Sequence, residues 1–169
     1  MTAYLLIGWM FMVYLSPGNF AFMLWPAGSA HFHCYQLITY GFTHYALVHF
    51  VTNALALWSF GRKMDGPELL LVFFIGSVIG GGTQLLMYDP RPIVGASAGI
   101  MSVIGLYCYR HQKASVHLLG VIRIKCVSAL MGLLYMTFMM MLFNWPDGVA
   151  NAGHFMGLIV GVTWAAYVD

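Results

Sequence analysis

Ser97 and His154 are the residues whose neighbours best equip them for nucleophilic chemistry. Ser97 lies in VGASAGI, after Pro90, Pro92 and Gly95 and ahead of helix-compatible residues. A serine opening a helix has unpaired backbone N–H groups beside it and the positive end of the helix dipole close by. Both suit a developing oxyanion. Gly95, Ala96, Ala98 and Gly99 leave room for a substrate carbonyl and for close helix packing. His154, in NAGHFMGLIVG after Asn151, has Gly157 and Gly161 on or near its own face. With Gly105 these small residues let two helix backbones approach closely, as a serine–histidine hydrogen bond requires. His49 and Asn53, four residues apart, share a helix face and are natural side-chain donors to the same oxyanion. Asp65 and Glu68 fall at the far end of the helices, Asp89 and Asp147 in loops and Asp169 at the terminus. No carboxylate is placed to orient the histidine, which points to a dyad rather than a triad.

Each feature alone has a plainer reading. A serine at a helix start is more often a simple N-cap, and a lone histidine in an apolar helix is more often an interhelical hydrogen-bonder. Glycines at helical spacing usually serve packing, and the run Met139–Met141 reads as packing too. Coincidence in depth decides between the readings, and depth depends on the helices that carry these residues.

Sixty-one per cent of the 169 residues are hydrophobic and seven per cent are charged, against roughly a quarter charged in a soluble domain. One globular core cannot hide so much apolar surface, so lipid must cover the rest. The expected fold is an all-α polytopic bundle of six spans in one domain. The spans run over about Met1–Leu15, His44–Phe60, Leu69–Tyr88, Ser97–Arg110, Cys126–Phe143 and Ala150–Val168. Each must be helical to satisfy its own backbone in lipid. Residues 16–43, SPGNFAFMLWPAGSAHFHCY and beyond, mix turn residues with aromatics and read as an interfacial, partly embedded loop. Residues 111–125 form an inner loop and 144–150 an outer one, an irregular turn around Pro146 and Gly148. No cleavable signal peptide is expected, because a basic n-region and a cleavage site are both missing from the first residues.

Arg62, Lys63, Arg110, Lys113, Arg123 and Lys125 fall on one side if the spans alternate, and only Arg91 falls on the other. The basic-rich side should be cytoplasmic, with both termini there, as in a bacterial inner membrane. A net charge of +2 is too small to suggest a nucleic-acid partner. Cys34, Cys108 and Cys126 lack metal or disulfide spacing. At about 1.5 Å per residue, Ser97 lies roughly 20 Å from Arg110, His49 roughly 20 Å from Arg62 and His154 about 22 Å from Asp169. Three helices therefore place Ser97, His154, His49 and Asn53 in one layer, below the outer surface of a core about 30 Å thick. His44 adds a further imidazole nearby. A short fourth helix starting within the bilayer is tolerated only beside a wet cavity, so a pocket open to the outside is expected.

At these residues the sequence resembles the rhomboid family of intramembrane serine proteases, over nearly the whole chain. TYGFTHYALVHFVTN is similar to the family's histidine-bearing loop end followed by HxxxN, with His49 and Asn53 in the latter. GASAG is similar to the nucleophile motif with Ser97, and NAGHFMGLIVG to the last-span motif with His154, Gly157 and Gly161. The resemblance implies an endopeptidase that cleaves transmembrane segments of membrane proteins near their outer ends. Ser97 would attack the carbonyl and His154 would take and return the proton. His49, Asn53 and the Ser97 backbone N–H would hold the oxyanion, and no metal or other cofactor is implied.

The chain departs from the family pattern in several places. Tyr35-Gln36 stands where a Trp-Arg pair is common, Asp65 where Glu is, and Ala98 where many members have glycine. Met101 occupies a position where bacterial members often carry a tyrosine packed on the catalytic histidine, and sulfur–aromatic contact could substitute. LWSFG and Met101 are similar to the mitochondrial branch. Three rival functions compete with this reading: an inactive relative that binds membrane clients, a small channel or transporter, and a zinc hydrolase on His49 and His154. Retention of both Ser97 and His154 opposes the first. The absence of mid-membrane charges and internal repeats opposes the second, and the lack of HExxH or a third ligand the third.

Overall fold

The computed structural model describes residues 1–87, 90–118, 122–143, 145 and 148–168. Its helices, in chain order, are α1 (Thr2–Leu15), α2 (Gln36–Thr39), α3 (Leu47–Gly61), α4 (Gly66–Leu85), α5 (Ser97–Arg110), α6 (Cys126–Phe143) and α7 (Asn151–Val168). The six longer ones fall where apolar runs are expected, with shifted ends. His44 precedes α3 instead of belonging to it, and α4 begins at Gly66, where Asp65 is extended and Pro67 sits in the first turn. Proline is pre-organised for that place and lacks only an N–H that would be unpaired anyway. The expected third span to Tyr88 ends outside the described residues, as do Asp89, Asp147 and Asp169.

α5 is the buried centre of the bundle. From Ala98 to Cys108 every residue except Met101 is buried, and α3, α4, α6 and α7 all pack on it. Leu69, Phe73, Ile100, Val103 and Leu158 form part of the core around it. The outer surface is apolar in turn: Leu5, Trp9, Met131, Tyr135 and Phe143 are each more than 60% exposed. Such contiguous apolar exposure marks contact with lipid or partners. Among the described residues, α4 and α6 are by themselves long and apolar enough to cross a membrane, and α1 and α3 are apolar but shorter.

Residues 111–125, expected as a plain loop, contain an antiparallel hairpin of β1 (Ser115–Leu118) and β2 (Ile122–Lys125), with Val116 opposite Ile124. β-Branched residues and the alternation in IRIK carry that preference, overlooked beside the helical runs. Near it Arg110 Nη1 donates to Glu68 Oε2 at 2.6 Å, and Trp164 Nε1 donates to Glu68 Oε1 at 3.1 Å. This network ties α4, α5 and α7 together at the end rich in basic residues. Arg62 lies over the Trp58 ring at the same end.

The first loop is a folded scaffold. Gln36, 1% exposed, is its centre. Its Oε1 accepts from the backbone N–H groups of Trp25 and His33, and its Nε2 donates to the carbonyls of Ala21 and His31. A two-bond antiparallel bridge joins Leu24 to Ile93. The Gly95 N–H donates to the Tyr40 carbonyl at 3.0 Å, and Tyr40 Oη donates to the Ser77 carbonyl at 2.7 Å. Tyr40 is thereby fixed between α4 and the segment that leads into Ser97.

Candidate active site

Ser97 is the first residue of α5, and the N-cap position is Ala96, which has no side chain to cap with. Its hydroxyl is therefore not spent on the helix end. It lies 2.6 Å from His154 Nε2 on α7, within the range of a good hydrogen bond to a hydroxyl. The plainer reading of Ser97 as an N-cap does not describe this geometry.

The glycines bring these groups into reach. A Cβ on Gly105 would stand 2.6 Å from the Leu158 carbonyl oxygen, and one on Gly157 would meet the Ala98 carbonyl and stand 3.2 Å from Met101 Cβ. One on Gly161 would collide with the Ser102 carbonyl. The two helices thus touch backbone to backbone along their shared length. Met101 packs against this contact one turn beyond Ser97. Gly80 on α4 extends it, since its Cβ would lie 2.8 Å from the Gly153 oxygen.

Gly95 meets two demands at once. Its φ is +108°, in the left-handed region that glycine tolerates. A Cβ there would also lie 2.5 Å from His49 Cε1 and 2.6 Å from its Nε2. The His49 ring therefore rests on the backbone immediately before Ser97. Asn53, 6% exposed, stands one turn along α3, and its Nδ2 donates to the His49 carbonyl at 3.0 Å. One amide hydrogen is held by that bond, and the second is the one open to another acceptor. His44, 3% exposed, meets the His49 ring edge-on at 4.9 Å between centroids. Asn151, 2% exposed, opens α7 three residues before His154.

A cavity of about 440 Å³ opens over this cluster. Ser97, His154, His49 and Asn53 all line it, together with Thr52 and Val149. Within the outer loop expected at 144–150, residues 144, 146 and 147 lie outside the described residues, while Gly148, with φ +82°, Val149 and Ala150 reach the cavity wall. Among the described residues there is no group of three His, Cys, Asp or Glu able to hold a metal ion.

Tyr45, Gln84 and Arg91 also face the cavity, and sequence reasoning did not single them out for it. Gln84 lies in the last turn of the apolar helix α4, and a glutamine there is a signal of the same kind as Asn53. Tyr45 and Arg91 sit in irregular chain, where periodicity gives no direction. His44 was placed near the layer, but its burial against His49 comes from the turn before α3 and leaves no trace in spacing.

Comparison with known proteins finds relatives of this sequence. The Rhomboid domain family matches residues 31–168. The chain is 25% identical to the rhomboid protease GlpG of Photorhabdus laumondii over 154 residues, 87% of this chain and 52% of that protein. It is 24% identical to the rhomboid protease GlpG of Yersinia pseudotuberculosis over 166 residues, 92% of this chain and 57% of that one. It is 26% identical over 144 residues to the mitochondrial presenilin-associated rhomboid-like protein A of Danio rerio, 79% of this chain and 37% of the relative. The chain thus spans about half the length of the two GlpG proteins. The family match covers all three segments that carry Ser97, His154 and the His49–Asn53 pair, and this all-α membrane protein belongs to the rhomboid family.

Proposed function

We propose that the protein is an intramembrane serine endopeptidase that cleaves transmembrane segments of membrane proteins. The supporting observation is the 2.6 Å contact between Ser97 Oγ and His154 Nε2 in an open cavity of a rhomboid-family chain. Neutral His154 takes the proton of Ser97 as its oxygen adds to the scissile carbonyl, and the imidazolium returns that proton to the leaving amine. Water then adds to the acyl group with the same histidine as base, releasing the acid and restoring Ser97. The Ser97 N–H, the free amide hydrogen of Asn53 and the His49 ring are the oxyanion donors in this reading. No metal or organic cofactor takes part.

The same reading assigns one domain of six spans to residues 1–169. Both termini and the hairpin stand on the cytoplasmic side of a bacterial inner membrane, and residues 16–43 and 144–150 on the outer side. The clustering of Arg62, Arg110 and Lys125 at the end away from the cavity supports that orientation. Substrates enter laterally past α6. Its buried residues are Cys126, Ala129, Leu130 and Thr137, so the stretch beyond Thr137 has none and is the one that moves.

The direct test is labelling of the purified protein by a fluorophosphonate, which phosphonylates activated serines with loss of fluoride. Adduct at Ser97, lost in His154→Ala, is the expected result. Equal labelling of both proteins refutes the dyad.

A further inference from the structure

The start of α7, which fixes His154, has a defect that another helix repairs. The His154 N–H donates to the Ala150 carbonyl at 3.0 Å, so Ala150 occupies the N-cap position and Gly153 the third position of the helix. The first N–H groups of a helix have no partner within it. At an ordinary N-cap, Ser, Thr, Asp or Asn accepts from the N–H at the second or third position. Ala150 has no such oxygen. Gln84, on α4, supplies it: its Oε1 accepts from the Gly153 N–H at 3.3 Å.

Other observations make this bond a matter of position. Gln84 is 6% exposed and lines the cavity. Gly80, one turn earlier on α4, packs its backbone against that of Gly153, with a Cβ on either glycine within 3.1 Å of the other's carbonyl oxygen. The α4 helix therefore touches α7 at the residue immediately before the histidine, by packing and by hydrogen bond together. The Gly153 donor also fixes the amide orientation, because only the oxygen of Gln84 can face an N–H.

We propose that Gln84 is a positioning residue for His154, acting as the N-terminal cap of α7 that Ala150 cannot provide. Gln84 needs no contact with substrate for this role. The role rests on His154 being the general base.

The experiment compares the full chain with Gln84→Met, Gln84→Glu and the double variant Gln84→Met/Ala150→Ser, all in detergent micelles. Gln84→Met keeps the volume and removes the acceptor. A drop in kcat of about tenfold with KM within twofold is expected, since a misplaced base impairs the chemical step alone. Gln84→Glu keeps an acceptor oxygen in either protonation state, so it should return most of kcat. Its carboxyl beside His154 should also move the acid limb of the kcat profile to higher pH, because a nearby negative charge favours the imidazolium. Ala150→Ser should restore kcat in the double variant by placing a hydroxyl at the N-cap.

Amide hydrogen exchange across residues 148–156 reads the cap without activity. Protection at Gly153 should be lost in Gln84→Met and regained in the other two. Unchanged exchange in Gln84→Met overturns the cap, whatever the activity. Lost protection with kcat within twofold of the parent shows that the cap exists but does not position His154, which overturns the proposal. If the parent is not labelled at Ser97 by the fluorophosphonate, the protease reading falls, and with it the positioning role, while the exchange result still decides the cap.

Discussion

Gly105→Ala tests whether the backbone contact of α5 with α7 is what brings Ser97 to His154. The added Cβ would stand 2.6 Å from the Leu158 oxygen and 3.3 Å from the Val162 nitrogen. Carbon and oxygen settle at about 3.3–3.6 Å, so the helices must separate locally by roughly 0.7–1 Å. Leu158 is one turn from His154 on α7, and a separation of that size reaches the dyad nearly undiminished along a stiff helix. The hydroxyl–imidazole distance then grows from 2.6 Å to about 3.4 Å, beyond the range of a useful hydrogen bond. Overpacking of this kind costs about 1–3 kcal/mol of stability. General-base catalysis contributes about 100- to 10,000-fold, and losing part of it should lower kcat roughly 10- to 100-fold. The assay is initial-rate cleavage of a single-span substrate in detergent, well below the melting temperature, with melting followed in parallel. Gly132→Ala on α6 is the control, since nothing lies within 4 Å of its added Cβ, and its kcat should match the parent. A Gly105→Ala protein with lowered melting temperature but parental kcat would show that helix spacing does not set the dyad.

Ser97→Ala and His154→Ala should each abolish cleavage of a reconstituted single-span substrate; full turnover by either variant contradicts the mechanism. His49→Ala or Asn53→Ala should lower kcat about 10- to 1000-fold with the fold intact, as for lost oxyanion donors, and an unchanged kcat removes that residue from the role. Cleavage should weaken on acidification. The base works as neutral imidazole, so the rate falls about tenfold per pH unit below its pKa, and a rate that rises in acid refutes a histidine base. Glu68→Gln should lower the melting temperature by a few degrees through the pair with Arg110 and the bond from Trp164, worth about 1–3 kcal/mol together. At low temperature its kcat should stay within twofold of the parent, and a large loss of kcat would show coupling between the two ends of the bundle.

Apolar runs that demand helices were legible in the sequence, and so was the gathering of Ser97, His154, His49 and Asn53, which line one cavity. Depth along a helix follows from counting residues, and the helices lie roughly where those counts put them. Gly105, Gly157 and Gly161 were legible for the same reason, since their spacing marks one face. What remained hidden depends on contacts between irregular segments. The four hydrogen bonds of Gln36, the Leu24–Ile93 bridge and the burial of His44 all come from chain that has no period. The pairing of β1 with β2 shows in the alternation of IRIK, but four residues between two helices fit a plain loop equally well. Gln84 was missed because its partner is a backbone N–H on another helix, and nothing local to residue 84 reports a vacancy at Ala150.

The scaffold around Ser97 links the nucleophile to the surface that the proposed orientation places at the edge of the bilayer. The chain just before the nucleophile hangs from the outer loop through Leu24, Ile93, Tyr40 and Gly95, and that loop presents Phe20, Phe22 and Tyr35 outward. These rings favour the headgroup zone of a bilayer. In the proposed orientation a thinner hydrocarbon core would draw them inward, and the short backbone links would carry that displacement toward the serine. On the proposed function, turnover in liposomes should therefore depend on acyl-chain length even for one fixed substrate.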